Sequence, residues 1–197
     1  GYQNGIYYYA GRALNNMTAY RIMLGHNLVE ILEDYRYHRD FAQETGEAYI
    51  KRYYRDNLEM LCLLSGQTAG AADEEEDYSL EKRRLDISRE GNLTEKFYVL
   101  FIELRLNYYF GRHQKSLALL DQLDLILPIV QVFHIPEYFF YQGLTCAAYY
   151  YQCSGKEQKA LDRRLKKSIK KLREWALHAP ENFAHKAVLL EAEWARL

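Results

Sequence analysis

Residues that interrupt helices are scarce in this chain. Its 197 residues include 3 prolines and 11 glycines, whereas Leu, Ala, Glu, Lys, Arg and Gln are abundant. The abundant residues have high intrinsic helix propensity, and proline is the residue that a helix interior tolerates least. The composition therefore predicts an all-α fold.

Cysteine is equally rare, with Cys62, Cys146 and Cys153 as its only representatives. An odd number of cysteines without a CxxC pair argues against a disulfide framework and is a weak metal signal. We expect free thiols in a reducing cytoplasm, buried as small hydrophobic side chains. The spacing of seven residues between Cys146 and Cys153 predicts that they share one helix face.

The chain also lacks an excess of either charge and lacks a long apolar run. Lys and Arg number 26 against 27 Asp and Glu, so no overall field attracts nucleic acid or anionic lipid. The most apolar window, 117–133, is interrupted by Asp121, Asp124 and Pro128 and cannot span a membrane. No signal peptide is visible. We expect a soluble cytoplasmic protein without nucleic-acid or membrane partners.

What the sequence does contain is a series of helical segments separated by glycine, proline and polar residues. Asn92 is placed to cap one helix together with Glu95, and Pro136 is placed in the first turn of another. Five consecutive acids starting at Asp73 predict that residues 67–77 form an acidic flexible loop. The predicted helices are 3–24, 26–45, 47–64, 78–89, 93–110, 113–127, 137–153, 156–178 and a last helix from 183 onward.

Four glycines recur at a nearly constant interval. Gly25, Gly66, Gly111 and Gly155 are 41, 45 and 44 residues apart (66 − 25, 111 − 66 and 155 − 111). Glycine ends helices in left-handed geometry, and an interval of this size matches one helical hairpin per repeat. We predict one domain, 1–197, of antiparallel helical hairpins stacked as a degenerate tetratricopeptide-like α-solenoid. A closed irregular bundle is the alternative.

The last helix carries an apolar stripe without a stop signal behind it. Pro180 breaks the preceding helix, and Phe183, Ala187, Leu190 and Trp194 then recur at steps of three or four. No Gly, Asn or Pro follows. We interpret the chain as a fragment of a longer helical protein, and we expect it to form a weak homo-oligomer through this helix or to fray there.

Motifs of catalysis are missing from the sequence. It contains no GxxxxGK[ST] phosphate loop, no HExxH, no GxSxG and no kinase glycine loop. His178 and His185 share a neighbourhood around Pro180, but they suit surface or capping positions better than a metal site. We therefore predict no catalytic, cofactor-binding or metal-binding residue and no cofactor.

The strongest charge run lies in the predicted helix 156–178, which also carries an apolar stripe through Leu161, Leu165, Ile169 and Leu172. A solvated outer face explains such a run best, and a nucleic-acid helix explains it least because the domain is neutral and its aromatic residues lie elsewhere. The remaining interpretation is a contact surface for an acidic partner or a neighbouring domain. Its candidate residues are Lys159, Arg163, Lys166, Lys167 and Lys170.

Several phrases in the second half resemble one family of signalling proteins. They are Trp175-Ala176, APENF at 179–183, His185-Lys186 and LxAExAR at 190–196, preceded by PEYFFY at 136–141. They are similar to large bacterial multi-sensor kinases of the cyanobacterial type, best over 93–197 and in helix pattern alone before Gly66. The resemblance implies that this chain is the helical region that such proteins join to a kinase-like domain, an AAA/STAND-type ATPase, a GAF domain and a histidine kinase.

We therefore expect a non-catalytic helical-repeat module that couples an ATPase switch to output domains. Solenoids suit such a role because they present long concave surfaces to their partners. The expected partners are neighbouring domains of the same chain and other signalling proteins. The alternative is a domain that senses a small molecule among its tyrosine-rich helices, for which a deep apolar pocket with converging polar groups would be the sign.

Overall fold

The computed structural model describes residues 7–44, 48–67, 79–90 and 92–197, and these residues form helices joined by turns, with no strand among them. The all-α prediction is confirmed. The chain divides into two compact units, an N-terminal unit (Gly1–Glu90) and a C-terminal unit (Gly91–Leu197). The sequence did not indicate the boundary between them, and the grouping of residues 1–197 into one repeat domain stays a prediction.

The N-terminal unit contains a helix boundary that the sequence did not indicate. The single helix predicted over 26–45 is wrong, because the chain turns at His38, whose N–H bonds to the Tyr35 carbonyl oxygen at 3.2 Å. Phe41, three residues after the turn, is buried. The helices of this unit are α1 (Tyr7–Met23), α2 (Leu28–Tyr37), α3 (Arg39–Glu44), α4 (Ala48–Ser65) and α5 (Leu80–Glu90).

The core of this unit is built where α2 meets α4. The rings of Tyr35 and Tyr54 stack with centroids 4.5 Å apart, and each is almost completely buried. Their hydroxyls are satisfied, since Tyr54 donates to the Tyr35 carbonyl oxygen and Tyr35 donates to Asn15 Oδ1, both at 3.0 Å. Tyrosine thus serves as core packing with a hydrogen-bonded tip. Around the pair lie Ile31, Leu32, Leu58, Leu61 and Cys62.

The C-terminal unit contains α6 (Leu93–Tyr109), α7 (His113–Ile126), α8 (Ile135–Tyr149), α9 (Lys156–Ala176) and α10 (Pro180–Arg196). Each helix packs on the next one in sequence, and α8 also contacts both α6 and α10. The Asn92 cap is confirmed, because its Oδ1 accepts from the N–H groups of Thr94 and Glu95 at 3.1 Å. Pro136 lies in the first turn of α8, as predicted.

The end of α8 differs from the prediction. The helix ends at Tyr149 rather than at Cys153, and a short 3₁₀ turn, Tyr150–Gln152, follows it. Cys146 and Cys153 therefore do not share one helix. Cys146 is buried and Cys153 is half-buried, and both are free thiols, like the buried Cys62. Burial raises the pKa of the Cys146 thiol to about 12, which keeps it protonated and unreactive.

The four recurring glycines occupy special backbone positions. Among the described residues, the positive φ angles belong to Gly25, Gly66, Gly111 and Gly155. After the first three, the next residue's N–H bonds to a carbonyl five residues back, as Arg112 does to Asn107 at 2.8 Å, which is the Schellman ending of a helix. Gly155 differs, because its φ of 58° and ψ of −113° place it at the start of α9. Gly46 and residues 68–77 of the predicted acidic loop lie outside the described residues.

Candidate interaction surfaces

Five basic residues of α9 form a stripe along one side of that helix. Successive residues of an α-helix are about 100° apart, so Lys159, Arg163, Lys166, Lys170 and Arg173 fall within an arc of roughly 80° around the helix axis. All five side chains are exposed, while Leu161, Leu165 and Leu172 on the opposite side are buried. The basic stripe consists of Lys159, Arg163, Lys166, Lys170 and Arg173.

The structure separates the five candidate contact residues. Lys166 and Lys170 line a groove, whereas Lys159 and Arg163 continue the basic stripe beyond it. Lys167 lies off the stripe, and its Nζ is 5.7 Å from the ring centroid of Phe139. Arg173 also lines the groove, but it was not among the predicted contact residues. Those residues were chosen from the densest run of basic residues in the sequence and not by their angular position around the helix.

The groove runs between α9 and α10 and has a volume of about 770 Å³. Its apolar surface comes from both helices and includes strongly exposed groups, with Leu177 82% and Val188 61% exposed. Lys166, Lys170 and Arg173 border it on the α9 side. The other lining residues are Ile169, Glu174, Ala176 and Leu177 of the α9 side and Ala184, Ala187, Val188, Glu191 and Trp194 of α10.

Trp194 lies at one end of the groove, where contacts with Asp162 and Lys166 hold its indole ring in place. Its indole Nε1–H donates to Asp162 Oδ1 at 2.9 Å, and the other oxygen of that carboxylate is 2.9 Å from Lys166 Nζ. The same ammonium lies 4.8 Å from the indole ring centroid. Hydrogen bonding to Lys166 lowers the pKa of Asp162, so the carboxylate stays ionised and keeps both contacts. The indole is 43% exposed and presents its free surface to the groove.

The apolar stripe of α10 is divided between the core and this groove. Leu190 is completely buried and packs on Gly143 of α8, where a Cβ atom would come within 2.4 Å of it. Ala187 is buried at the floor of the groove, and Trp194 is a partly exposed residue that lines it. At the last turn, the Tyr151 hydroxyl donates to the Leu197 carbonyl oxygen at 3.0 Å. The predicted fraying and self-association of this helix stay predictions.

A buried polar network supports α9 from behind. Tyr138 donates to Asp124 Oδ1 at 2.7 Å, and the amide of Gln142 donates to the Tyr138 hydroxyl at 2.7 Å. Ser168 of α9 donates to the side-chain oxygen Oε1 of Gln142 at 3.0 Å, and Arg164 donates to Asp124 Oδ2 at 2.9 Å. Side chains from α7, α8 and α9 are thereby joined, which fixes the position of the helix that carries the basic stripe.

The described residues do not form a metal site or a membrane span. No group of three or more His, Cys, Asp or Glu side chains there is arranged to hold a metal ion, and His178 and His185 are both exposed. Within the same ranges, no helix combines the length and apolarity needed to cross a membrane. Comparison with family models, curated proteins and solved structures finds no match to this chain.

Proposed function

We propose that this chain is a non-catalytic interaction module, and that its partner binds as an amphipathic segment in the groove between α9 and α10. The observation that carries the proposal is the combination of an exposed apolar floor with a cationic edge. Apolar grooves of this kind receive the apolar face of a partner helix. The cationic edge calls for acidic residues along one side of that helix, because complementary charge sets register and specificity.

The dimensions of the surface agree with a helical partner. From Lys159 to Arg173 the stripe rises by about 21 Å, which is roughly four helical turns. Acidic residues three or four positions apart on the partner would face Lys170 directly, and would face Lys166 and Arg173 in exchange for the contacts of these two with Asp162 and Glu191. Trp194 supplies an exposed aromatic surface at one end, and tryptophan is among the residues that contribute most to binding.

The setting that we propose for this module follows from the order of its helices and from the resemblance. Contacts of α8 with both α6 and α10, in addition to its sequence neighbours, support stacked tetratricopeptide-like hairpins. The similarity of 93–197 to multi-sensor kinases supports a cytoplasmic signalling protein in which the module couples neighbouring domains. In that setting the acidic helix would belong to a neighbouring domain or to another signalling protein.

The groove volume also suits a small molecule, because ligand pockets measure about 300–1,000 Å³. Ligand pockets usually bury most of their ligand, however, whereas Leu177, Val188 and Trp194 all face solvent here. The open form therefore favours a macromolecular partner over the sensing alternative.

The test uses the full 197-residue chain and a synthetic amphipathic peptide. The peptide carries Leu at helical spacing flanked by Glu, and a second peptide carries Lys in place of Glu. We expect the Glu peptide to bind and to change Trp194 fluorescence, and we expect Lys170→Glu to weaken its binding about tenfold through charge repulsion. Lys167→Glu is the matched control, because it makes the same change of charge on the same helix outside the groove.

The two variants decide the outcome. Both should unfold within about 0.5 kcal/mol of the parent, since the changes lie on the surface. Equal weakening by Lys170→Glu and Lys167→Glu would mean that the peptide senses only the general charge of α9. Equal binding of the Glu and Lys peptides would contradict the proposed acidic partner.

A further inference from the structure

A second feature of the C-terminal unit lies away from the groove, where α6 contacts α8. Arg105 is only 7% exposed, and its guanidinium carbon lies 5.7 Å from the ring centroid of Phe101 and 5.5 Å from that of Tyr141. Its Nε is buried without a hydrogen-bond acceptor. Within the described part of the chain, no carboxylate lies within ion-pair distance of it.

The neighbouring charges do not neutralise this guanidinium. Glu137, the buried carboxylate of the first turn of α8, is in direct contact with the Lys186 ammonium and forms an ion pair with it. Burial, followed by the charge of Arg105, lowers the pKa of His134 to about 3, so this imidazole is neutral at pH 7. One cation and one balanced ion pair therefore occupy the same buried region.

A buried cation in this state is unusual on energetic grounds. Removing an ionised group from water costs several kcal/mol, and about 0.5–2 kcal/mol is the range for contact with an aromatic face. The rings of Phe101 and Tyr141 therefore do not replace a counter-ion. An anion that entered the cluster would gain the guanidinium donors, which match carboxylate and phosphate oxygens in geometry.

Hydroxyl groups complete the set of donors. The Tyr141 hydroxyl lies 2.5 Å from that of Tyr109. Burial raises the pKa of Tyr141, although Arg105 acts in the opposite direction, so the phenol keeps its proton. One of the two hydroxyls donates to the other, which leaves the proton of the second for a ligand. Tyr109 is 53% exposed and connects the cluster to solvent. The donors converge from two helices, α6 and α8.

We infer that Arg105, Tyr109 and Tyr141 form a binding site for an oxyanion, a carboxylate or a phosphate, separate from the groove. The guanidinium supplies the charge and the phenols supply hydrogen bonds. The oxyanion belongs either to a small free molecule or to the carboxylate of a peptide, and both would present the same oxygens to Arg105.

The test measures thermal unfolding of the full chain and the ¹⁵N signal of the Arg105 Nε–H group. Inorganic phosphate, acetate and N-acetylalanine are added separately, with sodium chloride at matched ionic strength as reference. At about ten times the dissociation constant we expect Tm to rise by about 3–6 °C. The Arg105 signal should shift to saturation. N-acetylalaninamide, which lacks the carboxylate, should have no effect, and a stronger response to N-acetylalanine than to acetate or phosphate would identify a peptide as the source.

Three variants test whether Arg105 binds an anion or has only a structural role. Arg105→Met should abolish the rise in Tm, Tyr109→Phe should weaken anion binding, and Arg163→Met, on the exposed stripe of α9, should change neither. Arg105→Met should be at least as stable as the parent in anion-free buffer, because it removes an unpaired buried charge. Failure of this variant to fold, or an anion response equal to that of the parent, would overturn the inference.

Discussion

Two glycines, Gly143 and Gly11, allow helices to pack closely because they have no side chain. Gly143 in the middle of α8 faces Leu190 of α10, and Gly11 in α1 faces Ile50 of α4, where an added Cβ would meet Ile50 Cδ1 at 2.6 Å. Both partners are almost fully buried. Each unit thus brings a pair of helices together over a glycine, although glycine costs roughly 1 kcal/mol of helix propensity relative to alanine.

Replacement of Gly143 by alanine tests this packing. The added methyl group improves helix propensity, but it overlaps a leucine that cannot move into solvent, and overpacking of this kind typically costs about 1–3 kcal/mol. We expect Gly143→Ala to lower the free energy of unfolding, measured by urea denaturation.

Leu190→Ala provides the matching background for a double-mutant cycle. Once the leucine is shortened, Gly143→Ala should become neutral or stabilising. An identical effect of Gly143→Ala in both backgrounds would show that the glycine is not required by contact with Leu190.

The sequence pointed to some of these residues and missed others for a physical reason. It assigned glycine to helix ends, where a local backbone requirement decides, and Gly25, Gly66 and Gly111 confirm that rule. The requirement at Gly143 comes from a side chain 47 residues away (190 − 143), which no local pattern can show. Arg105 did carry a signal, because it and Glu103 are the charged residues within the apolar run 97–106 of α6.

At the scale of the helix, the two glycines that precede α7 and α9 make different demands. Gly111 follows α6 in the left-handed region, with φ of 69°, whereas Gly155 combines φ of 58° with ψ of −113°. Asparagine enters the first region at small cost, while the second is nearly closed to every residue with a Cβ atom. Apart from the adjacent residues of the chain, no atom lies within 4 Å of either added Cβ, so backbone strain and not a clash with other residues sets the effect.

Alanine substitutions should therefore rank these two positions. We expect Gly111→Ala to destabilise by about 1–2 kcal/mol and Gly155→Ala by more, measured by chemical denaturation. Gly111→Asn is the control for geometry, and it should recover part of the loss. Equal losses for alanine and asparagine at position 111 would indicate that the left-handed conformation is not what stabilises this helix end.

Helix ends were predicted best where they depend on a residue at the end itself. The Asn92 cap and Pro136 in the first turn are of this kind, and both are confirmed. The break at His38 has no such residue, since it lies within an uninterrupted amphipathic pattern. There the tertiary burial of Phe41 decides, and it outweighs local helix propensity.

At the scale of the whole molecule, the division at Gly91 predicts that the C-terminal unit folds alone. Residues 92–197 make a chain of about 100 residues, which is large enough for a core of its own. We expect this fragment to unfold cooperatively by circular dichroism and to give NMR signals for α9 and α10 at their positions in the full chain.

A shorter fragment, 101–197, serves as the control. It lacks the Asn92 cap and the fully buried Phe97, and it should be markedly less stable. A fragment 92–197 without helical signal would mean that the unit depends on the N-terminal half.

The all-α architecture followed from composition and from the spacing of helix-ending glycines. The groove and the Arg105 cluster did not follow from the sequence, because they depend on which faces of α6, α8, α9 and α10 meet. Those contacts are set by complementary shapes at long separation along the chain, such as Leu190 on Gly143. The basic residues of α9 could be identified from the sequence because charge is visible there and burial is not, and the contact surface that they would form stays a prediction.

The polar network behind α9 also disfavours alternative packings in which α9 is shifted along its axis. A slip of α9 by one turn, about 5.4 Å, would replace Ser168 opposite the Gln142 amide with a leucine or another residue of different shape. A buried amide oxygen left without its donor costs about 1–3 kcal/mol. The hydrogen-bond chain from Asp124 to Ser168 therefore fixes the position of α9 along its own axis relative to α8. Leucine contacts alone would tolerate several axial positions of α9 against α8 almost equally. The donors and acceptors of this network, in contrast, pair at only one of these positions.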